Sequence, residues 1–372
     1  MTDVQGLAPE RFARVADAFR ANFDADEELG ARFAVCIDGE VVLDIHAGWA
    51  DRAKTRPFGP DTLTPVFSTT KAVASLLVAR LVSEGRLSYD QPVAEVWPEF
   101  GQAGKGAATV AQMLSHQCGL SGIVGPMDPA EWFDWDALCT RLAAMTPLWP
   151  IGTASGYHPV TWGYLAGEVF RRVDGRTMGQ ALREDWAEPC GLDLWIGLPD
   201  AEHARVAEMR KPTGLPTLGD ANEPRRLAFG TPWSSPGGRG SADWRRAEIP
   251  SANGHATAPA LARMMSVLAC DGEIDGWRLL APATVEAATR ERIVGEDLVL
   301  PGRFSWGAGL MRNLGMYGPG VRTVGHSGWG GSCAFADPDR RLSVAYVMNR
   351  QSTWLTGDPR PARLIEALYA SL

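Results

Sequence analysis

The sequence predicts an α+β protein: one antiparallel sheet built from both ends of the chain, flanked by helices, with a mainly helical region inserted between the two halves. Three observations predict it. Strand-like runs lie near the N-terminus, at 32–37 and 41–46, and again toward the C-terminus, at 303–311, 321–327, 332–337 and 341–348. Apolar residues recur at helical spacing near both termini. Between them, from 86 to 210, short apolar-periodic segments are broken by Pro92, Pro98, Pro147, Pro150 and Pro189. The expected division is a sheet domain of 1–85 with 255–372, and an insertion of 86–254 that ends in a long irregular loop at 211–254.

Taken in order, residues 8–23 form an amphipathic first helix, with Leu7, Phe12, Val15, Ala16, Phe19 and Phe23 on one face. Asp38-Gly39 separates the first two strand runs and is a tight hairpin signal. The segment Ser68–Glu84 carries Val73, Leu76, Leu77, Val78 and Leu81, and Gly85 is its stop. The 211–254 stretch holds six prolines, and a loop that long inside a compact protein is usually a functional wall or lid, or else disordered. A helix over about 257–271 follows. Pro338-Asp339 turns the last two strands, and a helix near 361–371 closes the chain.

Composition removes several function classes. Of 372 residues, 45% are hydrophobic and 22% charged, the profile of an ordinary globular protein. A net charge of -8 without a basic stripe argues against nucleic acid as a partner. No run of about eighteen apolar residues occurs, so no membrane span is expected. The start Met1-Thr2-Asp3-Val4 lacks the basic and apolar regions of a signal peptide, which makes the cytoplasm the expected compartment. The six cysteines form no C-x-x-C pair and are read as free thiols. No H-E-x-x-H, G-x-G-x-x-G, P-loop or G-x-S-x-G occurs, so neither metal nor nucleotide cofactor is expected, nor an α/β-hydrolase elbow.

The strongest chemical signal is Ser68-Thr69-Thr70-Lys71 at the start of the best helix. A serine hydroxyl needs a base to become a nucleophile. Residues three apart share a helix face, which brings Lys71 to Ser68, and the helix N-terminus favours developing negative charge there. The competing reading is an N-cap serine beside a solvated lysine. Lysine is scarce, at four against 32 arginines, and chance would supply roughly 0.2 S-x-x-K matches. Two further segments add weight. The turn-rich stretch 149–158 delivers Tyr157-His158, and a tyrosine whose pKa a neighbouring lysine lowers can relay the nucleophile's proton. Near the C-terminus, Gly325-His326-Ser327-Gly328-Trp329 offers small residues along which a substrate can lie, with a backbone N–H as oxyanion donor. Each has a plainer alternative, a core tyrosine and a glycine-rich bend.

Ser68-x-x-Lys71, Tyr157-His158 and His326-Ser327-Gly328, in that order, resemble the three motifs of the serine beta-lactamase and penicillin-binding superfamily. The chain is most similar to its beta-lactamase-like carboxylesterases, the family VIII esterases, which resemble class C beta-lactamases. The segments Leu114–Leu120 and Asn253–Thr257 share the likeness. The resemblance implies a beta-lactamase/transpeptidase-like fold, Ser68 as nucleophile, and Lys71 with Tyr157 as the base pair. It further implies the N–H groups of Ser68 and Trp329 as oxyanion hole, with His326, Ser327 and Gly328 on the substrate-binding strand. Pro159 stands where an asparagine is common, and His326 where the lactamases keep a lysine. Imidazole anchors a carboxylate more weakly than an ammonium. With the missing export signal, this favours small, short-acyl neutral esters as substrates. A beta-lactamase, a D-amino-acid peptidase or an acyltransferase of the same superfamily stays open as an alternative, and so does an inactive ligand-binding homologue.

Overall fold

The computed structural model describes residues 2–214 and 216–372. The N-terminal strands are β1 (Gln5–Leu7), β2 (Gly30–Ile37) and β3 (Glu40–Gly48). The C-terminal strands are β4 (Ile293–Glu296), β5 (Arg303–Trp306), β6 (Met311–Arg312), β7 (Val324–Ser327), β8 (Cys333–Asp337) and β9 (Leu342–Met348). They form one nine-stranded sheet in the order β1-β3-β2-β9-β8-β7-β6-β5-β4, every neighbour antiparallel. The two ends of the chain meet at the β2–β9 pairing, where Phe33 faces Tyr346.

Side-chain alternation sorts the sheet's two faces by size. Phe33, Val35, Phe335, Val344 and Tyr346 point one way, packing with Val15 and Phe19 of α1 (Ala13–Asp24) and Leu364 and Leu368 of α5 (Pro359–Tyr369). Ala34, Cys36, Ala334, Ala336 and Ala345 point the other way, onto α2 (Thr70–Ser83) and α4 (Ala258–Ala269). Small residues on that face let the helices approach closely, and the Ser343 hydroxyl donates to the Ala262 carbonyl of α4 at 2.7 Å. The fifth helix used below is α3 (Thr161–Asp174), in the helical region between the sheet's halves.

The hairpin turn is as expected: Asp38 and Gly39 both have positive φ, 54° and 84°, the type I′ geometry that matches strand twist. Gly85, at φ 70°, follows the end of α2. Some boundaries moved. Leu7, expected on the first helix, lies in β1 and is 48% exposed. The run 303–311 is two strands because Gly307-Ala308-Gly309 turns the chain back; a side chain on Gly309 would strike Ser75 and Trp162. Strand β4 at the sheet's edge carries no alternation that marks it in the sequence. The 211–254 stretch contains short helical turns at Glu223–Arg225, Arg226–Gly230 and Ala242–Arg246. All six cysteines are unpaired, and five of them are buried. Among the described residues no helix is long and apolar enough to cross a membrane.

Candidate active site

Ser68 sits in a tight turn, Phe67–Thr69, immediately before α2. The turn is locked from both sides. Thr64–Pro65 pairs with His255–Ala256, and the Val66 N–H donates to the Gly254 carbonyl at 2.8 Å. Thr70 Oγ1 donates to the Phe67 carbonyl at 2.5 Å and accepts the Gly254 N–H at 2.8 Å. Phe67 is held at φ 48°, a left-handed conformation that costs a non-glycine residue about 1–2 kcal/mol. The segment Asn253–Thr257 is thus a brace for the Ser68 turn.

Lys71 lies one turn into the helix and is completely buried. Its Nζ is 3.4 Å from Ser68 Oγ, 2.8 Å from the Pro159 carbonyl and 2.9 Å from the Ser251 carbonyl. No carboxylate among the described residues pairs with it. Burial therefore holds its amine well below the usual lysine range. Pro159, out of place against the superfamily pattern, contributes here through its carbonyl, which any residue could supply.

Tyr157 is buried beside this pair, with Lys71 Nζ 4.7 Å from the centre of its ring. Burial pushes its phenol up, and the nearby Ser68 hydroxyl opposes that shift without cancelling it. The expectation that a lysine lowers this pKa is corrected on that point: desolvation of the buried phenol dominates and shifts it upward. Asp297, 5% exposed, fixes the tyrosine's backbone. Its Oδ1 accepts the N–H groups of Tyr157 at 2.8 Å, Val299 at 2.9 Å and Leu300 at 2.9 Å. Its Oδ2 accepts the Ser155 hydroxyl at 2.9 Å. His158 is a structural neighbour: its Nε2 accepts the Leu120 N–H at 2.9 Å, Nδ1 bonds the Gly156 carbonyl at 2.6 Å, and burial holds its pKa down to about 3.

The third segment comes from β7 and the turn after it. β6 pairs only with Val324 and Gly325, so the His326–Ser327 backbone is open on that side. His326 is completely buried behind Tyr157, ring centres 5.9 Å apart, with Nδ1 bonded to the Ser327 carbonyl at 2.8 Å and its pKa held down to about 3. Its side chain does not reach the cavity next to Ser68; Ser327 and Trp329 do. A side chain on Gly328 would collide with the Val66 carbonyl, Ser332 Oγ and Thr69 Oγ1, so glycine lets this turn press against the Ser68 turn. Among the described residues neither the Ser68 nor the Trp329 N–H donates a hydrogen bond. Below the turn, Arg360, 3% exposed, donates from Nη2 to the Gly330 carbonyl at 2.6 Å and to Asp358 at 2.8 Å. Its Nη1 meets Glu28 at 3.0 Å. Asp297 and Arg360 escaped the sequence reading, because neither stands in a local pattern.

A cavity of about 300 Å³ opens at Ser68. Phe67, Tyr157, Val160, Leu300, Met311 and Trp329 line it, and Leu218, Phe229 and Trp244 close it from the irregular loop, which is a wall as expected. Trp233, on the same loop, does not line it and instead donates its indole N–H to the Ile123 carbonyl at 3.1 Å. Among the described residues no group of three or more His, Cys, Asp or Glu side chains is placed to hold a metal.

This fold, with a buried amine against a serine hydroxyl at a helix start, defines a serine hydrolase of the lactamase/transpeptidase type. Residues 15–368 match the beta-lactamase family, and the chain belongs to that family. It is 39% identical, over 93% of its own length and 83% of the other's, to the esterase/beta-lactamase LipL of Mycobacterium tuberculosis. Among solved structures it is 66% identical, with a TM-score of 0.98 and complete coverage of both chains, to a penicillin-binding protein homolog from Caulobacter crescentus. A family VIII carboxylesterase is 42% identical with a TM-score of 0.93, again with complete coverage of both chains.

Proposed function

We propose that the protein is a carboxylesterase that cleaves small, short-acyl esters through an acyl-enzyme on Ser68. The observation that carries this reading is the Lys71 amine. Buried without a counter-charge, its charged form is disfavoured, and the neutral amine has two hydrogens and one lone pair. The Pro159 and Ser251 carbonyls take both hydrogens, which leaves the lone pair for the Ser68 hydroxyl. Ser68 Oγ then attacks the ester carbonyl carbon as its proton passes to Lys71 Nζ. The carbonyl oxygen becomes an oxyanion facing the N–H groups of Ser68 and Trp329. As the C–O bond to the alcohol breaks, Lys71 returns the proton to the leaving oxygen, with the neutral Tyr157 hydroxyl as relay. Water then attacks the acyl carbon by the same route in reverse, releasing the acid and Ser68. Ser327 and Gly328 form the wall along which the substrate lies, and His326 supports that wall from behind.

Two features favour esters over lactams. The imidazole that stands in place of a lysine is buried and already bonded to the Ser327 carbonyl, so it offers no cation to a lactam carboxylate. The cavity is at the small end for a ligand site, at about 300 Å³. The name of the LipL relative couples esterase with beta-lactamase, which keeps lactam hydrolysis as a second reading; nitrocefin turned over faster than p-nitrophenyl butyrate would promote it.

Intact-protein mass spectrometry after treatment with a serine-directed phosphonate tests the nucleophile. One adduct on the wild type and none on Ser68→Ala is expected, with ester turnover in the variant down roughly a thousandfold or more. No adduct on the wild type refutes the reading and leaves a binding protein.

A further inference from the structure

The Ser68 cavity has a neighbour of about 390 Å³, and the two share Phe67, Arg239, Trp244 and Trp329 as a common wall. Their characters differ. The first is lined mainly by apolar side chains. The second is bordered by Arg52, Lys211, Arg239 and Arg245, against Glu208 as its one carboxylate. Arg52 takes that carboxylate at 3.0 Å. Among the described residues, Lys211, Arg239 and Arg245 have no acidic partner. Three uncompensated cations around one cavity are notable in a chain of net charge -8.

Arg239 stands at the junction. Its guanidinium lies 4.6 Å over the Trp329 ring, and so beside the turn that follows β7. The indole Nε1 of Trp329 is buried without an acceptor, and neither ring nitrogen of His255, a buried residue on the second cavity's border, makes a hydrogen bond among the described residues. Cations thus collect around the second cavity, whose remaining lining, including Pro65, Val206 and Met209, is largely apolar. A guanidinium stacked on an indole keeps its edge N–H groups free for a planar oxyanion.

We infer that the natural substrate is an ester with one apolar arm, held in the Ser68 cavity, and one anionic arm, a carboxylate or phosphate held by Arg239 in the second cavity. This rests on the esterase reading and names its substrate class. It assigns the anion-binding role to the irregular loop that carries Arg239, a different element from β7 with His326.

The test separates binding from turnover. Tryptophan fluorescence of the full chain is titrated at low salt with 4-butoxybenzoate, 4-butoxyphenyl phosphate and the neutral 4-butoxybenzamide. At least one anion binds about tenfold tighter than the amide, as one charge-assisted contact in a half-open site allows. That advantage disappears in Arg239→Met, is partly kept in Arg239→Lys, and shrinks with added salt. The anion that gains more identifies the group. In parallel, kcat/KM for the butyryl ester of 4-hydroxybenzoate is compared with that of 4-hydroxybenzamide. Equal binding of all three ligands by the wild type overturns the proposal, as does an anion preference that Arg239→Met leaves intact. Failure of the esterase reading shows separately, as no Ser68-dependent turnover of either ester.

Discussion

Replacing Asp297 by Asn leaves Ser68, Lys71 and Tyr157 in place chemically and asks whether one carboxylate holds Tyr157 where it must be. Asp297 Oδ1 accepts three backbone N–H groups, those of Tyr157, Val299 and Leu300, at 2.8–2.9 Å. An asparagine oxygen can occupy the same point, and its NH2 can face the Ser155 hydroxyl, which turns to accept. The geometry survives, but the charge on the acceptor is lost. A hydrogen bond to a charged group is stronger than a neutral one by about 1 kcal/mol, so three of them amount to about 3 kcal/mol. In a chain of 372 residues that corresponds to a Tm lower by roughly 4 °C. Turnover falls further than stability suggests, because a tyrosine displaced by a fraction of an ångström no longer relays a proton: kcat drops about 10- to 100-fold with little change in KM. Thermal melting by near-UV circular dichroism and p-nitrophenyl butyrate kinetics read both effects. A variant that melts within about 2 °C of the wild type and keeps kcat within about twofold refutes the idea that Asp297 positions Tyr157.

Two other outcomes follow from the same geometry. Because burial depresses Lys71 and the base acts in its neutral form, kcat/KM reaches its plateau well below the ordinary lysine range and falls on acidification as the amine gains a proton; a rate that instead rises only near that range, about pH 10, contradicts a depressed Lys71. Gly328→Ala forces a methyl group against the Val66 carbonyl, so stability falls by roughly 1–3 kcal/mol and ester turnover falls at least about tenfold, measured by the same melts and kinetics.

What the sequence revealed follows its local patterns. The Asp38-Gly39 hairpin, the helix behind Ser68 and the strand carrying His326 were each readable because their signals lie within a few residues of one another. The partners that surround Lys71, the proposed base, were not. The Ser251 carbonyl lies 180 positions away from Lys71, and a carbonyl has no side-chain signature. Asp297 lies 140 positions from Tyr157, in a loop whose only local mark is an ordinary acidic residue. His326 was placed on its strand, but all four residues of that strand are buried, so alternation could not tell which way the imidazole points. The apolar–basic division between the two cavities arises where residues near 52, 211, 239 and 245 meet, a coincidence of folding with no linear trace.

The buried cluster under the Gly330 turn sets an order on biosynthesis. Arg360 ties Gly330 to Glu28, so the turn that aims the Trp329 N–H rests on residues from both ends of the chain, 332 positions apart. Ser68, Lys71 and Tyr157 leave the ribosome before α5, so the floor beneath the Trp329 turn, the proposed oxyanion donor, does not exist until α5 has emerged. On the proposed mechanism, a growing chain therefore carries its nucleophile before the support of its oxyanion hole is in place.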